Sequence, residues 1–317
     1  MRKQKKILYI NDYACDEITI NSVNKLIYPK PHLWGIFELL NECDIKLFHV
    51  STNKNIIARF FISLIAFIKY FRCDYIYSAL PVYETFFFLL AKKIGLKEYR
   101  IITIIHHPSS RLLLKDAYTK CICISPVTYD YFKDKLKAEY LFWGGDNFFY
   151  NHHRSDLKKT YDFITCGKTH RDFNIFYKII PQLTDKYKVI GDKSSVNNEI
   201  TYVELVQYYS ISKFVCIPLI PTTEQSILMG LTSFVDAMAM GLPVLISENS
   251  LIGIDVDSLK LGLTYIPGDQ DDFKKKANIL LQMSDNDYVE MCNNCLNFSK
   301  QNSYIKFASR IKELLSE

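Results

Sequence analysis

Short apolar runs alternate with segments of helical period from the start of the chain. KILYIN, IKLFHV, DYIYSA, RIITII and CICIS have the form of strands, and between them come a helix near Trp34 to Asn41, another from Ile56 and another from Tyr83. Such alternation predicts parallel strands joined by crossover helices. The runs opened by Asp44, Asp74 and Arg100 are rich in Ile, Val, Tyr and Phe, which suits strands buried on both faces of a parallel sheet. From Trp143 to Tyr161 the pattern lapses into the polar, turn-rich WGGDNFFYNHHRSDLKKTY. It then resumes: DFITCG, a helix after Arg171, YKVIG, a helix from Tyr202, KFVCIPL, a helix ending at Met240, LPVLIS and a short strand near Leu263. After Gly268 the chain is helical, and Ile305, Phe307, Ile311 and Leu315 fall near helical spacing. The expected organisation is a first α/β domain over 1–155 and a second over 156–302. A C-terminal helix over 303–317 must pack its apolar stripe against a domain, the N-terminal one being a candidate.

Length agrees with two cores, since 317 residues exceed what one usually supports. With 49% apolar and 23% charged residues and no low-complexity tract, the whole chain is expected to fold. The formal charge of +5 comes without a dense basic stripe, which argues against nucleic acid as a partner. Nine irregularly spaced cysteines and the absence of a secretory signal before Ile7 fit a reduced, cytoplasmic setting. The C-x-x-C of Cys292 and Cys295 has no second pair and fits an ordinary helix better than a zinc or redox site. Ile56 to Phe71 is nearly all apolar, with Arg59 and Lys69 as exceptions. It is shorter than the roughly 20 residues that span a bilayer, so it suits either a buried helix or a face in peripheral contact with the inner surface of the membrane.

In open parallel sheets ligands gather beyond the carboxyl ends of strands, where helix N-termini present free N–H groups. TCGKTHRDF, Thr165 to Phe173, is such a place. Gly167 lets the backbone approach phosphates, Lys168 offers a compact charge, and Arg171 can grip two oxygens through its planar fork. A second helix start lies at Gly230, Thr232 and Ser233, and Asp236, one turn on, can accept hydrogen bonds from ribose hydroxyls. In the first half, His106 and His107 follow a strand and can bond a sugar hydroxyl or move a proton; adjacent side chains on extended chain diverge, so one of the two is expected to reach a ligand. His106, His107, His152 and His153 lack metal-site spacing, so no metal is expected. Neither a G-x-G-x-x-G after the first strand nor a phosphate-loop motif occurs, which disfavours nicotinamide dehydrogenases and P-loop ATPases.

Taken in order, these segments resemble the retaining GT-B glycosyltransferases called glycosyl transferases group 1, or glycosyltransferase family 4. GLTSFVDAMAMGLPVLIS is similar to that family's donor motif, and LGLTYIPGDQDDF to the element that follows it. FWGGDNFFY, ISPVTYDYF and CGKTHRDF extend the resemblance over most of the chain. It implies a GT-B fold of two Rossmann-like doubly wound parallel-sheet domains facing a cleft. The nucleotide would be held mainly by the second domain, with Lys168 and Arg171 at the diphosphate and Asp236 at the ribose. It further implies that Gly35 in HLWGIF lets backbone approach the donor phosphates and that His107 contacts the donor sugar. The family's first acidic position, eight residues before Asp236, is Leu228 here, with Glu224, Gln225 and Ser226 nearby for a sugar contact.

The activity so implied is metal-independent, hexosyltransferase-like transfer from a nucleotide-diphosphate sugar, with no cofactor, to a glycan or lipid-linked glycan in surface polysaccharide synthesis, with retention. Two alternatives share the sequence features. One is a nucleotide-sugar epimerase of the same fold, which needs no acceptor. The other is a non-catalytic sugar-binding or scaffold subunit, against which the phosphate-binding cations Lys168 and Arg171 argue.

Overall fold

The computed structural model describes residues 4–50, 55–192, 200–220, 230–248 and 253–316. The chain divides into two compact units: Met1–Leu26, Lys30–Trp143 and Tyr304–Glu317 form the first, Ile27–Pro29 and Gly144–Ser303 the second. The main crossing between them falls at Trp143 and Gly144, earlier in the chain than 155.

The first unit is built on strands β1 (Lys6–Asn11), β2 (Asp44–His49), β3 (Tyr75–Ser78), β4 (Arg100–Ile105), β5 (Lys120–Cys123) and β6 (Ala138–Tyr140). They pair in the order β2-β1-β3-β4-β5-β6, all parallel. Ile7 to Ile10 and Ile104 and Ile105 have no exposed surface, as expected of central strands covered on both faces. Helices α1 (Glu17–Asn24), α2 (Ile56–Tyr70), α3 (Phe86–Lys93) and α4 (Pro126–Phe132) occupy the connections. The order reverses between β1 and β3, the kind of switch point where loops on the two sides diverge and leave a crevice.

Some elements depart from the pattern read in the sequence. No α-helix spans Trp34 to Asn41; two short 3-10 turns, Lys30–Leu33 and Ile36–Leu39, stand there instead. They are separated by Trp34 at φ 50° and Gly35 at φ 82°, left-handed backbone that a continuing helix cannot contain. The helix of this connection is α1, capped by Asp16, whose carboxylate accepts from the Thr19 amide. In the polar stretch after Trp143, Asp146 likewise caps a further helix, α5 (Asn147–His153).

The second unit holds β7 (Tyr161–Cys166), β8 (Tyr187–Ile190), β9 (Ser212–Ile217), β10 (Val244–Ser247) and β11 (Gly262–Tyr265), parallel in the order β11-β10-β9-β7-β8. Its helices are α6 (Phe173–Leu183), α7 (Tyr202–Ser210), α8 (Leu231–Met240), α9 (Gln270–Leu281) and α10 (Asp285–Gln301). All but one residue of α8 are buried, which accounts for its run of small and apolar side chains. Cys295, on α10, is buried with its thiol directed to the Leu261 carbonyl, as an ordinary helix residue.

Helix α11 (Tyr304–Leu314) belongs to the first unit. Its buried side is Tyr304, Phe307, Ala308, Ile311 and Leu314; Ile305, expected on the apolar stripe, points outward and is 66% exposed. A Cβ on Gly35 would lie 3.1 Å from the Ala308 Cα and 3.2 Å from the Ile311 Cβ, so the glycine lets the 3-10 turn close against this helix. Arg310 clamps Glu139 on β6 through two bonds of 2.5 and 2.9 Å. The same pair, aided by Lys120, pulls the Glu139 carboxyl down to about 2.

Candidate functional site

In the second unit the strand order reverses between β7 and β9, and there the residues singled out at the two helix starts come together. A cavity of about 480 Å³ is lined by Gly167, Lys168 and Arg171 after β7, by Gly191 after β8, and by Thr232 and Asp236 from α8. That is within the size range of small-molecule sites. Every residue that lines it belongs to this unit.

Arg171 is held from three sides. Its Nε donates to the Cys166 carbonyl at 3.0 Å, Nη1 to the Thr169 carbonyl at 3.2 Å, and Nη2 to the Ser233 hydroxyl at 2.9 Å. The guanidinium therefore ties the end of β7 to the first turn of α8, and among the described residues these bonds use three of its five N–H groups. Gly167 permits this. It sits at φ 123°, and a Cβ there would fall 2.6 to 2.8 Å from the guanidinium atoms. Lys168 is exposed at the rim, and Gly230 takes the left-handed conformation before the first turn of α8. Ser233 is a buried anchor for Arg171 as well as part of the lining.

Asp236 is 6% exposed at the base of the cavity. Burial pushes its carboxyl up to about 7, against a smaller downward pull from the Tyr150 hydroxyl of α5. A ligand hydroxyl donating to this carboxylate would restore the solvation that burial removes. Leu228, Glu224, Gln225 and Ser226 lie outside the described residues.

Gly191 and α7 were not singled out from the sequence. A Cβ on Gly191 would meet the Gly167 carbonyl oxygen at 2.7 Å, so the two strand-end glycines pack together. The visible signal was the shared form of DFITCG and YKVIG, each a strand closed by glycine. The start of α7 carries a capping box, in which Thr201 and Glu204 bond each other's backbone amides, and the neighbouring Tyr202 lines the cavity.

Gly35 and His107 are in the first unit and do not line this cavity. His107 follows β4 with its Nδ1 buried and, among the described residues, without a hydrogen-bond partner. Burial lowers its pKa, which favours the neutral ring. His106 turns the other way, donating through Nε2 to the Ala79 carbonyl at 2.8 Å with its ring against Trp34 at 5.0 Å. Gly35 is occupied by packing against α11.

Two all-parallel α/β units of six and five strands make the GT-B fold of glycosyltransferases. The chain is similar to a glycosyltransferase from Rickettsia africae at 13% identity, covering 99% of this chain and 98% of that one with a TM-score of 0.67. It is similar also to HepE from Anabaena, determined in complex with UDP and glucose, at 12% identity over 99% and 100% of the two chains with a TM-score of 0.66. A third match, described as a candidate UDP-N-acetylglucosamine 2-epimerase from Listeria monocytogenes, has 11% identity over 98% and 95% with a TM-score of 0.60. At such identities the likeness is one of fold. No protein-family model and no curated protein matches the chain.

Proposed function

We propose that the protein transfers a hexose-like sugar from a nucleoside-diphosphate sugar to a glycan or lipid-linked glycan acceptor, with retention and without a metal ion or cofactor. The observation that carries this reading is the cavity at the β7–β9 reversal. Arg171, the exposed Lys168 and the start of α8 line the cavity, which would take a diphosphate, and the buried Asp236 carboxylate, one turn further along α8, would meet a ribose. Cationic side chains and a helix N-terminus can offset charge on a leaving diphosphate, which is the work a metal otherwise does. His107 is assigned to the donor sugar, where a neutral imidazole can hold a hydroxyl or move a proton. The complex of HepE with UDP and glucose supports the donor class.

Thermal stabilisation by UDP, ADP, GDP and TDP and their sugar derivatives tests the reading. One nucleotide is expected to raise the melting temperature, since a ligand bound only by the folded form at about 100 times its Kd adds about 2.7 kcal/mol. Lys168→Ala, at an exposed position, is expected to weaken that nucleotide about tenfold, and Arg171→Ala by roughly tenfold to a hundredfold, the usual worth of charge-assisted bonds. No shift with any nucleotide would remove the support for transfer and favour the scaffold reading. The Listeria neighbour keeps an epimerase in view; interconversion of the donor sugar without acceptor would favour it over transfer.

A further inference from the structure

Helix α2 is mounted inside out. Its internal cation, Arg59, points inward, bonding Glu84 at 3.1 Å and lying 4.6 Å over the Tyr83 ring, while Glu84 has no exposed surface. On the same inner side Phe67 packs on Phe88 at 5.2 Å and Tyr99 at 6.4 Å. Outward go Ile56, Ile57, Phe60, Phe61, Ile65 and Ile68, and Ile57, Ile65 and Ile68 are 65, 60 and 68% exposed. Only Ser63 and Ala66 of the helix are buried. A surface helix of a water-soluble face has the opposite arrangement.

The apolar face continues past the helix. Lys97 donates to the Phe71 and Cys73 carbonyls, both at 2.8 Å, which fastens the turn after α3 to the end of α2 and brings Ile94 and Leu96, 67 and 60% exposed, to the same end. The two chain segments that build this surface carry cations only. Ile56 to Cys73 contains Arg59, Lys69 and Arg72 and no carboxylate; Thr85 to Lys97 contains Lys92, Lys93 and Lys97 and no carboxylate. Lys69, Arg72 and Lys93 are exposed. The next carboxylates along the chain are Asp74, paired with Lys97 at 3.4 Å, and Glu98, whose charge acts on Lys92.

We propose that the outer face of α2, with the turn after α3, docks on an anionic phospholipid bilayer, the helix lying in the plane of the interface. The 15-residue helix is about 22 Å long against about 30 Å of hydrocarbon, and among the described residues no helix is long and apolar enough to cross a membrane. An apolar stripe whose own segments carry lysine and arginine and no carboxylate matches lipid tails beneath anionic headgroups. A second copy of the chain matches it less well, since it would bring two faces of like positive charge together where an anionic headgroup layer offers opposite charge.

Flotation of the full chain with phosphatidylcholine vesicles, with and without phosphatidylglycerol, tests this. The chain floats with the anionic vesicles, less with neutral ones, and less again at high salt. Ile65→Ser with Ile68→Ser, at exposed positions, lowers vesicle binding about tenfold or more at unchanged melting temperature, and Lys69→Glu with Arg72→Glu abolishes the preference for phosphatidylglycerol. Absence of flotation under all conditions overturns the proposal. So does a wild-type dimer in light scattering that the serine pair makes monomeric, because a second copy then covers the face. The vesicles carry no nucleotide, so neither result bears on sugar transfer.

Discussion

Asp236 is the residue whose chemistry is most altered by its surroundings. With its carboxyl raised to about 7, the folded protein holds a proton that the unfolded chain, near the ordinary value, releases earlier. Stability attributable to this group is therefore complete below about pH 4 and is lost as pH rises through about 7. Relative to Asp236→Asn, the wild type should lose on the order of 4 kcal/mol over that window, measured by urea unfolding at both ends; an equal loss in the variant would assign the effect elsewhere. A bound nucleotide whose ribose donates to the carboxylate should flatten the wild-type profile. That Asp236, Lys168 and Arg171 would approach one cavity was legible in the sequence, because Lys168 and Arg171 follow a strand end and Asp236 lies one turn into a helix that starts with glycine. The internal duty of Arg171 was not, since its Ser233 partner is 62 positions away and meets it only when β7 and α8 are assembled. Gly35 was read as a donor contact, and the packing of α11 on it depends on a helix from the far end of the chain.

Among the elements, α2 shows how far one internal contact fixes orientation. Arg59→Met would strand the fully buried Glu84 without its cation and should cost about 3–5 kcal/mol by chemical denaturation. Lys69→Met, on the exposed side, should stay within about 0.5 kcal/mol. Strands were the most legible elements, since β1, β4 and β9 are apolar runs bounded by polar residues. Helix α1 escaped notice because it buries only Val23, so its apolar period is faint; the Asp16 cap was its clearest mark. The outward face of α2 was open between burial and exposure, because an apolar run carries no sign of which side its neighbours cover. That was decided by Glu84, 25 positions beyond Arg59.

At the scale of the whole molecule, both tryptophans, Trp34 and Trp143, are in the first unit, 5.2 Å apart and nearly inaccessible, with Phe307 of α11 6.1 Å from Trp34. Their emission thus reports on that unit alone. A chain cut after Ser303 should show red-shifted emission, as water reaches the indoles and the Gly35 surface, while far-ultraviolet circular dichroism keeps the contribution of the second unit. An unshifted spectrum would mean that the sheet of the first unit holds without α11. The two-unit architecture could be read from the repeated strand–helix rhythm, whereas the return of Tyr304 onward could be inferred only as an apolar stripe in need of a surface. That return also sets an order of birth. The second unit is almost one uninterrupted stretch and can close as soon as it leaves the ribosome, whereas the Gly35 turn, made early, stays without its α11 cover until that helix emerges. At about 5–20 residues per second the wait is on the order of tens of seconds. During it the earliest-made half of the protein is the more vulnerable to chaperone capture and to aggregation.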